Sequence, residues 1–210
     1  MFEVGVSVRL RTADVEYLAM KTHELLRGMG TSELDTVYFS EVVGAVGDVS
    51  VALYLSRSNT GVLVVASACD DEGKCLAGPV RNTASVAKRV LRGIGNLVDV
   101  LRVEYVVKAR VALSSTYRAL VKKLRICGVE LSEGGSYDAG WYLVGVYKGR
   151  YVLPMKRLDV VLTLVQERGG RLTSAQLVVS RHTEGVDEPS EGELVDCLKA
   201  VSQVIAHIAS

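Results

Sequence analysis

Arg81–Arg125, RNTASVAKRVLRGIGNLVDVLRVEYVVKARVALSSTYRALVKKLR, is the stretch on which the reading of the fold turns. Its apolar positions change period twice. Val86, Val90, Ile94, Leu97, Val98 and Leu101 recur at helical intervals, which predicts a helix from an Asn82 cap to about Leu101. From 104 to 113 the pattern alternates, with Val107, Ala109 and Val111 between Lys108 and Arg110, as a half-buried strand requires. Ser114 or Ser115 then caps a second helix carrying Tyr117, Leu120, Val121 and Leu124, which Gly128 ends. The stretch is therefore the closing helix of one half and the opening strand and helix of the next.

Upstream, Phe2, Val4, Val6, Val8 and Leu10 alternate along a first strand over 2–11. Thr12 is placed to cap a helix from Ala13 to about Arg27, with Val15, Leu18, Ala19, Thr22, Leu25 and Leu26 as its stripe and Gly28 and Gly30 at its end. Residues 35–43 are ambiguous, with a strand through Val37 and Phe39 as one reading. Val49–Ser56 and Val62–Cys69 read as a hairpin about Arg57-Ser58-Asn59-Thr60-Gly61. A short strand over Cys75–Ala77 follows the tip Asp70-Asp71-Glu72, before Gly78-Pro79 interrupts. Cys69 and Cys75 could face each other across that tip; the expected state in a reducing interior is two buried thiols.

Downstream, strands are expected at 129–132, 140–147, 150–155, 158–167 and 172–181, with Lys148-Gly149 and Gly169-Gly170 as hairpin turns. After a polar loop, Ser190-Glu191-Gly192-Glu193 forms a capping box and starts a last helix through Leu194, Leu198, Val201, Val204, Ile205 and Ile208. Each half then reads strand, helix, antiparallel strands, long helix, dividing at 1–102 and 103–210, as two units or one continuous domain. This is an internal repeat of pattern with slight identity between halves. The expected class is α+β, and the order resembles the architecture of TATA-binding-protein-like folds and, more loosely, helix-grip folds. An alternative parse makes 2–113 a ferredoxin-like βαββαβ unit followed by a second α+β unit.

A net charge of +1 conceals a divided chain. Residues 1–72 hold 5 basic and 11 acidic groups, residues 73–125 hold 12 basic and 2 acidic, and residues 182–210 are acidic again. Lys88, Arg89 and Arg92 lie off the apolar stripe of the first helix in the stretch, and Lys108 and Arg110 share one face of the strand. Arg118, Lys122 and Arg125 recur at i, i+4, i+7 on the second helix. Cations converging on one surface would bind RNA or DNA through phosphate contacts. The same cations are equally expected on solvated helix faces, or paired with the acidic segments within the chain or across a homodimer. Of the aromatics, Tyr105 and Tyr117 lie near the basic stretch, while Tyr137, Trp141, Tyr142, Tyr147 and Tyr151 would form a stacking platform if exposed and sheet packing otherwise.

Other chemistries find little support. Gly73-Lys74-Cys75 lacks the rest of a P-loop, Gly93-Ile94-Gly95 lies within a helix, and Gly44-Ala45-Val46-Gly47 precedes a strand. His23, His182 and His207 stand apart from the cysteines, so no zinc spacing occurs and neither metal nor cofactor is expected. His182 with Glu184, Asp187 and Glu188 is the one place where a histidine and carboxylates cluster, read first as a flexible acidic loop. No G-x-S-x-G elbow is present. No apolar run reaches the ~20 residues that span a bilayer, and the opening residues read as a strand, not a leader, so a cytoplasmic protein is expected. Scarce Asn and Gln with abundant Arg point to a thermophile. The sequence thus leans away from an enzyme and toward a nucleic-acid-binding protein using residues 88–125. The alternatives are an assembly subunit, or a small-molecule binder or enzyme with a cavity between the sheet and the last helix.

Overall fold

Alternation and helical periodicity translate into ten strands and five helices in a computed structural model that describes residues 1–124, 130–138, 140–153, 156–184 and 188–210. Arg125, Cys127 and Gly128 lie outside the described residues. The fold is mixed α+β with extensive antiparallel pairing. Two units are distinguished: an N-terminal unit of Glu3–Tyr105 with His182–Val195, and a C-terminal unit of Met1–Phe2, Val106–Arg181 and Asp196–Ser210.

The N-terminal unit opens with β1 (Phe2–Thr12), whose Val4, Val6, Val8 and Leu10 are buried as the alternation predicts. In α1 (Val15–Met29), Asp14 is the cap, accepting from the Tyr17 amide at 2.9 Å. Thr12 instead ends the strand, where it is buried and donates to the Leu97 carbonyl at 3.0 Å. Two short strands follow, β2 (Thr31–Leu34) and β3 (Glu41–Val46), and no strand runs through Val37 and Phe39. Asp35 prevents it, because its carboxylate accepts from the Ser40 hydroxyl and the Val37 and Tyr38 amides and folds the segment into a turn. Those hydrogen bonds, the Ser40 one first, hold the Asp35 carboxyl below its usual range.

The hairpin of β4 (Val49–Ser56) and β5 (Thr60–Cys69) closes with Ser56 opposite Thr60, and Asn59 takes the left-handed conformation (φ 60°) that a three-residue loop needs. Beyond it the expected strand at Cys75–Ala77 is a short helix, α2 (Glu72–Ala77), capped by Asp71, which accepts from the Lys74 amide at 2.8 Å. That turn of helix carries Cys75 back to Cys69, and the two form a disulfide with Cα atoms 5.4 Å apart in place of two thiols.

Helix α3 (Pro79–Ile94) starts three residues before Asn82, because proline suits a first helical turn where no N–H partner is needed. It also ends well before Leu101: after Gly95 the chain enters β6 (Val98–Leu113), so Val98 and Leu101 are strand residues. Gly93 faces the Leu25 side chain, and any Cβ there would collide with it, so this glycine serves helix–helix approach. The strands of this unit run β2-β3-β4-β5-β1-β6. Four strands between α1 and α2 are two more than a ferredoxin-like unit has.

In the C-terminal unit the second half of β6 is followed by α4 (Tyr117–Leu124), β7 (Glu130–Asp138), β8 (Tyr142–Leu153), β9 (Lys156–Glu167) and β10 (Thr173–Thr183). The strands run β6-β10-β9-β8-β7. Lys148-Gly149 is no turn: Lys148 pairs with Val161 and Gly149 with Val160, so the expected strands 140–147 and 150–155 are one. Alternation continues through it, with Tyr147 buried and Lys148 exposed, and one glycine does not override a period that buries every second side chain. Gly169-Gly170 does turn the chain between β9 and β10, with Gly169 at φ 77°.

The last helix, α5 (Glu191–Ala209), begins where the capping box predicts, and the Ser190 amide donates to the hydroxyl of the buried Tyr105 at 2.9 Å. In the C-terminal unit Leu198, Val201, Val204 and Ile208 of α5 are buried, as are Leu158, Leu162 and Leu164 of β9. Lys156 ties that part of the helix to β9 through Asp196 at 2.5 Å.

Candidate nucleic-acid interface

Strand parity sorts the side chains of the C-terminal unit. On β8 the odd positions face the helices: Tyr147 is buried with its hydroxyl 2.6 Å from that of Tyr117 on α4, and the Tyr151 hydroxyl donates to Gln203 on α5. The even positions Tyr142, Lys148, Arg150 and Val152 are exposed on the opposite face. On β9 the buried Leu158, Val160, Leu162 and Leu164 face the helices, leaving Arg157 and Asp159 outward. On β6 the buried Val107 and Ala109 leave Lys108 and Arg110 outward.

The sequence-derived cations therefore separate. Lys108 and Arg110 share the open face of the sheet, whereas Arg118 and Lys122 are exposed on α4, which packs on the other side. Lys88, Arg89 and Arg92 belong to α3 in the N-terminal unit. Arg92 is engaged there by Glu188 in a two-pronged pair, Nε to Oε1 at 2.6 Å and Nη2 to Oε2 at 3.0 Å. That hydrogen bonding lowers the Glu188 carboxyl below its ordinary range, the Arg92 and Lys88 charges adding to it, and it raises the Arg92 guanidinium.

Three residues outside the basic stretch join the open face: Lys148, Arg150 and Arg157, all exposed. Arg150 approaches Asp159 at 3.9 Å, while Arg110, Lys148 and Arg157 form no ion pair among the described residues. They were legible in principle, because reading 142–153 as one uninterrupted strand puts Tyr142, Lys148 and Arg150 in register on one face. The supposed turn at Lys148-Gly149 hid them.

At one end of this sheet the aromatics gather, Tyr137 and Tyr142 outward by parity and Trp141 just before β8. Tyr137 is 60% exposed, Trp141 77% and Tyr142 47%. Two loops meet here, since the Arg168 amide donates to the Trp141 carbonyl at 2.8 Å and the Arg168 side chain pairs with Asp138. Gln166, 8% exposed, fastens the corner: it accepts from the Tyr117 amide at 2.9 Å and donates to the Gly170 carbonyl at 2.6 Å. A cleft of about 320 Å³ lies alongside, lined by Tyr117, Arg118, Ser136, Tyr137, Asp138 and Leu143.

Elsewhere the His182 cluster retains Glu184 and Glu188 among the described residues, Asp187 lying outside them, and Glu188 is committed to Arg92. His23 Nδ1 lies 2.9 Å from the Ser32 hydroxyl. No group of three His, Cys, Asp or Glu side chains is arranged for a metal ion among the described residues. No described helix is long and apolar enough to cross a membrane.

No known family profile matches the chain, and no curated protein does. Among solved structures it is similar to DynU16, from the dynemicin biosynthetic locus, at 9% identity over 98% of this chain and 97% of that one, with a TM-score of 0.26. It is also similar to a candidate adenylate cyclase of Bacillus halodurans, at 8% identity over 98% of this chain and 76% of that one, with a TM-score of 0.19. Likeness at this level says nothing about activity.

Proposed function

We propose that this is a non-enzymatic nucleic-acid-binding protein that holds phosphates on the open sheet face of its C-terminal unit. The observation that carries the reading is the set of exposed cations on that face, Arg110, Lys148, Arg150 and Arg157, with Lys108 beside them. Within the basic stretch this keeps Lys108 and Arg110 as phosphate ligands, with Arg118 and Lys122 on the far side of the sheet as a separate contribution. Arg92, neutralised by Glu188, is the weakest of the original set.

Binding of this kind releases counterions, so affinity falls steeply with salt, by roughly one unit of log–log slope per phosphate contact. The test is retention on heparin and anisotropy titration of a labelled oligonucleotide between low and physiological salt. Lys148→Glu and Arg157→Glu should each weaken binding and shallow the slope by about 1. Indifference to polyanions at low salt would overturn the proposal.

A second reading, a subunit of an assembly, is favoured by the half-buried Val144, Val146, Val161 and Val165 in the middle of the same face. Light scattering decides it, a concentration-independent monomer counting against it. We also infer that the chain is a pattern repeat of two halves, 1–102 and 103–210. In support, the outer-edge-inward order β2-β3-β4-β5-β1 of one unit matches β7-β8-β9-β10-β6 of the other. A TATA-binding-protein-like or helix-grip-like arrangement is the architecture we favour for it. A thermophile's cytoplasm would suit both the amide-poor composition and the Cys69–Cys75 bridge.

A further inference from the structure

We propose that the ligand is single-stranded nucleic acid, whose unpaired bases stack on Tyr142 and Tyr137, beside Trp141, while its phosphates run toward Lys148, Arg150 and Arg157. This rests on the reading above and narrows it to one chemical form of ligand.

The register supplies the geometry. Tyr137 lies opposite Val144, and Tyr142 is two positions before Val144 on the same strand, so the two rings are diagonal neighbours on one face. Diagonal neighbours in an antiparallel pair lie about 7–8 Å apart, within reach of adjacent splayed bases. Trp141 immediately precedes β8, with its backbone held by the Arg168 amide and its side chain 77% exposed. A surface that needed only solubility would not place an indole and two phenols, each 47% exposed or more, within six consecutive positions.

Charge gives the platform a direction. Along β8 the outward row runs Tyr142, Val144, Val146, Lys148, Arg150. At ~3.4 Å per residue that row is about 27 Å long, enough for a strand of several nucleotides. Glu167 sits opposite Tyr142 and so disfavours a phosphate at the aromatic end, whereas Lys148, Arg150 and Arg157 attract one at the other. A ring end that repels phosphate and a basic end that collects it fit a strand with exposed base faces. A duplex hides those faces in its own stack and offers the rings nothing to stack on.

Trp141 is the chain's single tryptophan, so its fluorescence reports this site alone. The experiment titrates the full chain with an oligothymidylate of about 15 nucleotides, an abasic strand of equal length, a duplex and heparin, reading both Trp141 quenching and anisotropy of labelled ligand. The expected result is quenching by the oligothymidylate only, with the abasic strand and heparin binding in a salt-dependent way without it. Tyr142→Ala and Tyr137→Ala should each weaken the oligothymidylate roughly tenfold and leave heparin affinity unchanged. Lys148→Glu should weaken every polyanion. Equal affinity for abasic and base-bearing strands without quenching, or preference for the duplex, overturns the stacking proposal and leaves the phosphate-binding reading standing. Binding to none of the four removes that reading itself.

Discussion

Replacing Gln166 by leucine should cost the protein roughly 2–3 kcal/mol, and the figure follows from two hydrogen bonds. Tyr117 is the first residue of α4, so its N–H is one of the donors a helix cannot satisfy within itself. Gln166 accepts from it at 2.9 Å and donates to the Gly170 carbonyl at 2.6 Å, from a side chain only 8% exposed. Leucine fills a similar volume, so little cavity opens. What goes is the desolvation cost of the Tyr117 N–H and the Gly170 carbonyl left buried without partners, about 2 kcal/mol each or about 4 kcal/mol together. The extra apolar burial of leucine returns ~1–2 kcal/mol. In urea this amounts to a midpoint lowered by about 1 M, read by far-UV circular dichroism with the slope unchanged. Gln166→Glu separates the two bonds, because a carboxylate still accepts from Tyr117 but cannot donate to Gly170. The buried carboxylate also faces the Gly170 carbonyl oxygen, so this variant should be destabilised at least as much as leucine, while only the leucine variant should speed hydrogen exchange at the Tyr117 amide. A leucine variant within ~0.5 kcal/mol of wild type, with Tyr117 exchange unaltered, would refute the long-range cap.

Three further outcomes are expected. In Gly145→Ala the new methyl would lie 2.8 Å from Cε2 and Cζ of Tyr117, so the ring must swing out and lose its hydroxyl contact with Tyr147. A loss of about 1–3 kcal/mol, relieved in the double variant with Tyr117→Ala, is the expected cycle in urea melts. Reducing the Cys69–Cys75 bridge, which spans a separation of 6 residues, should lower stability by ~2 kcal/mol on the loop-entropy relation, and mass spectrometry without reductant should show the chain two hydrogens lighter than its fully reduced form. Glu188, held low first by its hydrogen bond to Arg92, contributes stability that is present above its unfolded value and lost as pH falls through its folded one. Acid should therefore loosen the 188–190 segment from α3, a dependence that Glu188→Gln abolishes in exchange measurements.

Much of the element order could be read from periodicity, and the misses share a cause. Asp14 and Thr12 are both competent caps by residue type, and only the burial of Thr12 against Leu97 decides between them. The same holds at α4, where Ser114 or Ser115 looks like the cap while the Tyr117 amide is satisfied by Gln166, 49 residues away. Long-range partners leave no local signal. The end of α3 was misplaced for a different reason. Val98 and Leu101 fit a helical stripe and a strand equally well, and Gly95-Asn96 settles the matter only once β6 is seen to need its first residues. Cys69 and Cys75 were visible as a pair, but their union depends on the turn of helix that Asp71 starts.

Charge counted along a chain is one-dimensional, and a sheet converts it into two faces by a rule of period two. The basic stretch supplied eight candidate cations, and parity sends Lys108 and Arg110 to one side of the C-terminal sheet while α4 keeps Arg118 and Lys122 on the other. The same rule splits the aromatics: Tyr147 and Tyr151 turn inward to Tyr117 and Gln203, and Tyr142 turns outward beside Lys148 and Arg150. A one-residue shift of β8 against β9 would exchange these sets, burying Lys148 and exposing Tyr147. The part-buried Tyr117–Tyr147 contact and the Gln166 cap therefore fix more than α4. By fixing register they determine which side chains can meet a ligand, so variants at Gln166 and Gly145 should disturb Trp141 quenching by single strands even though neither residue lies on the open face.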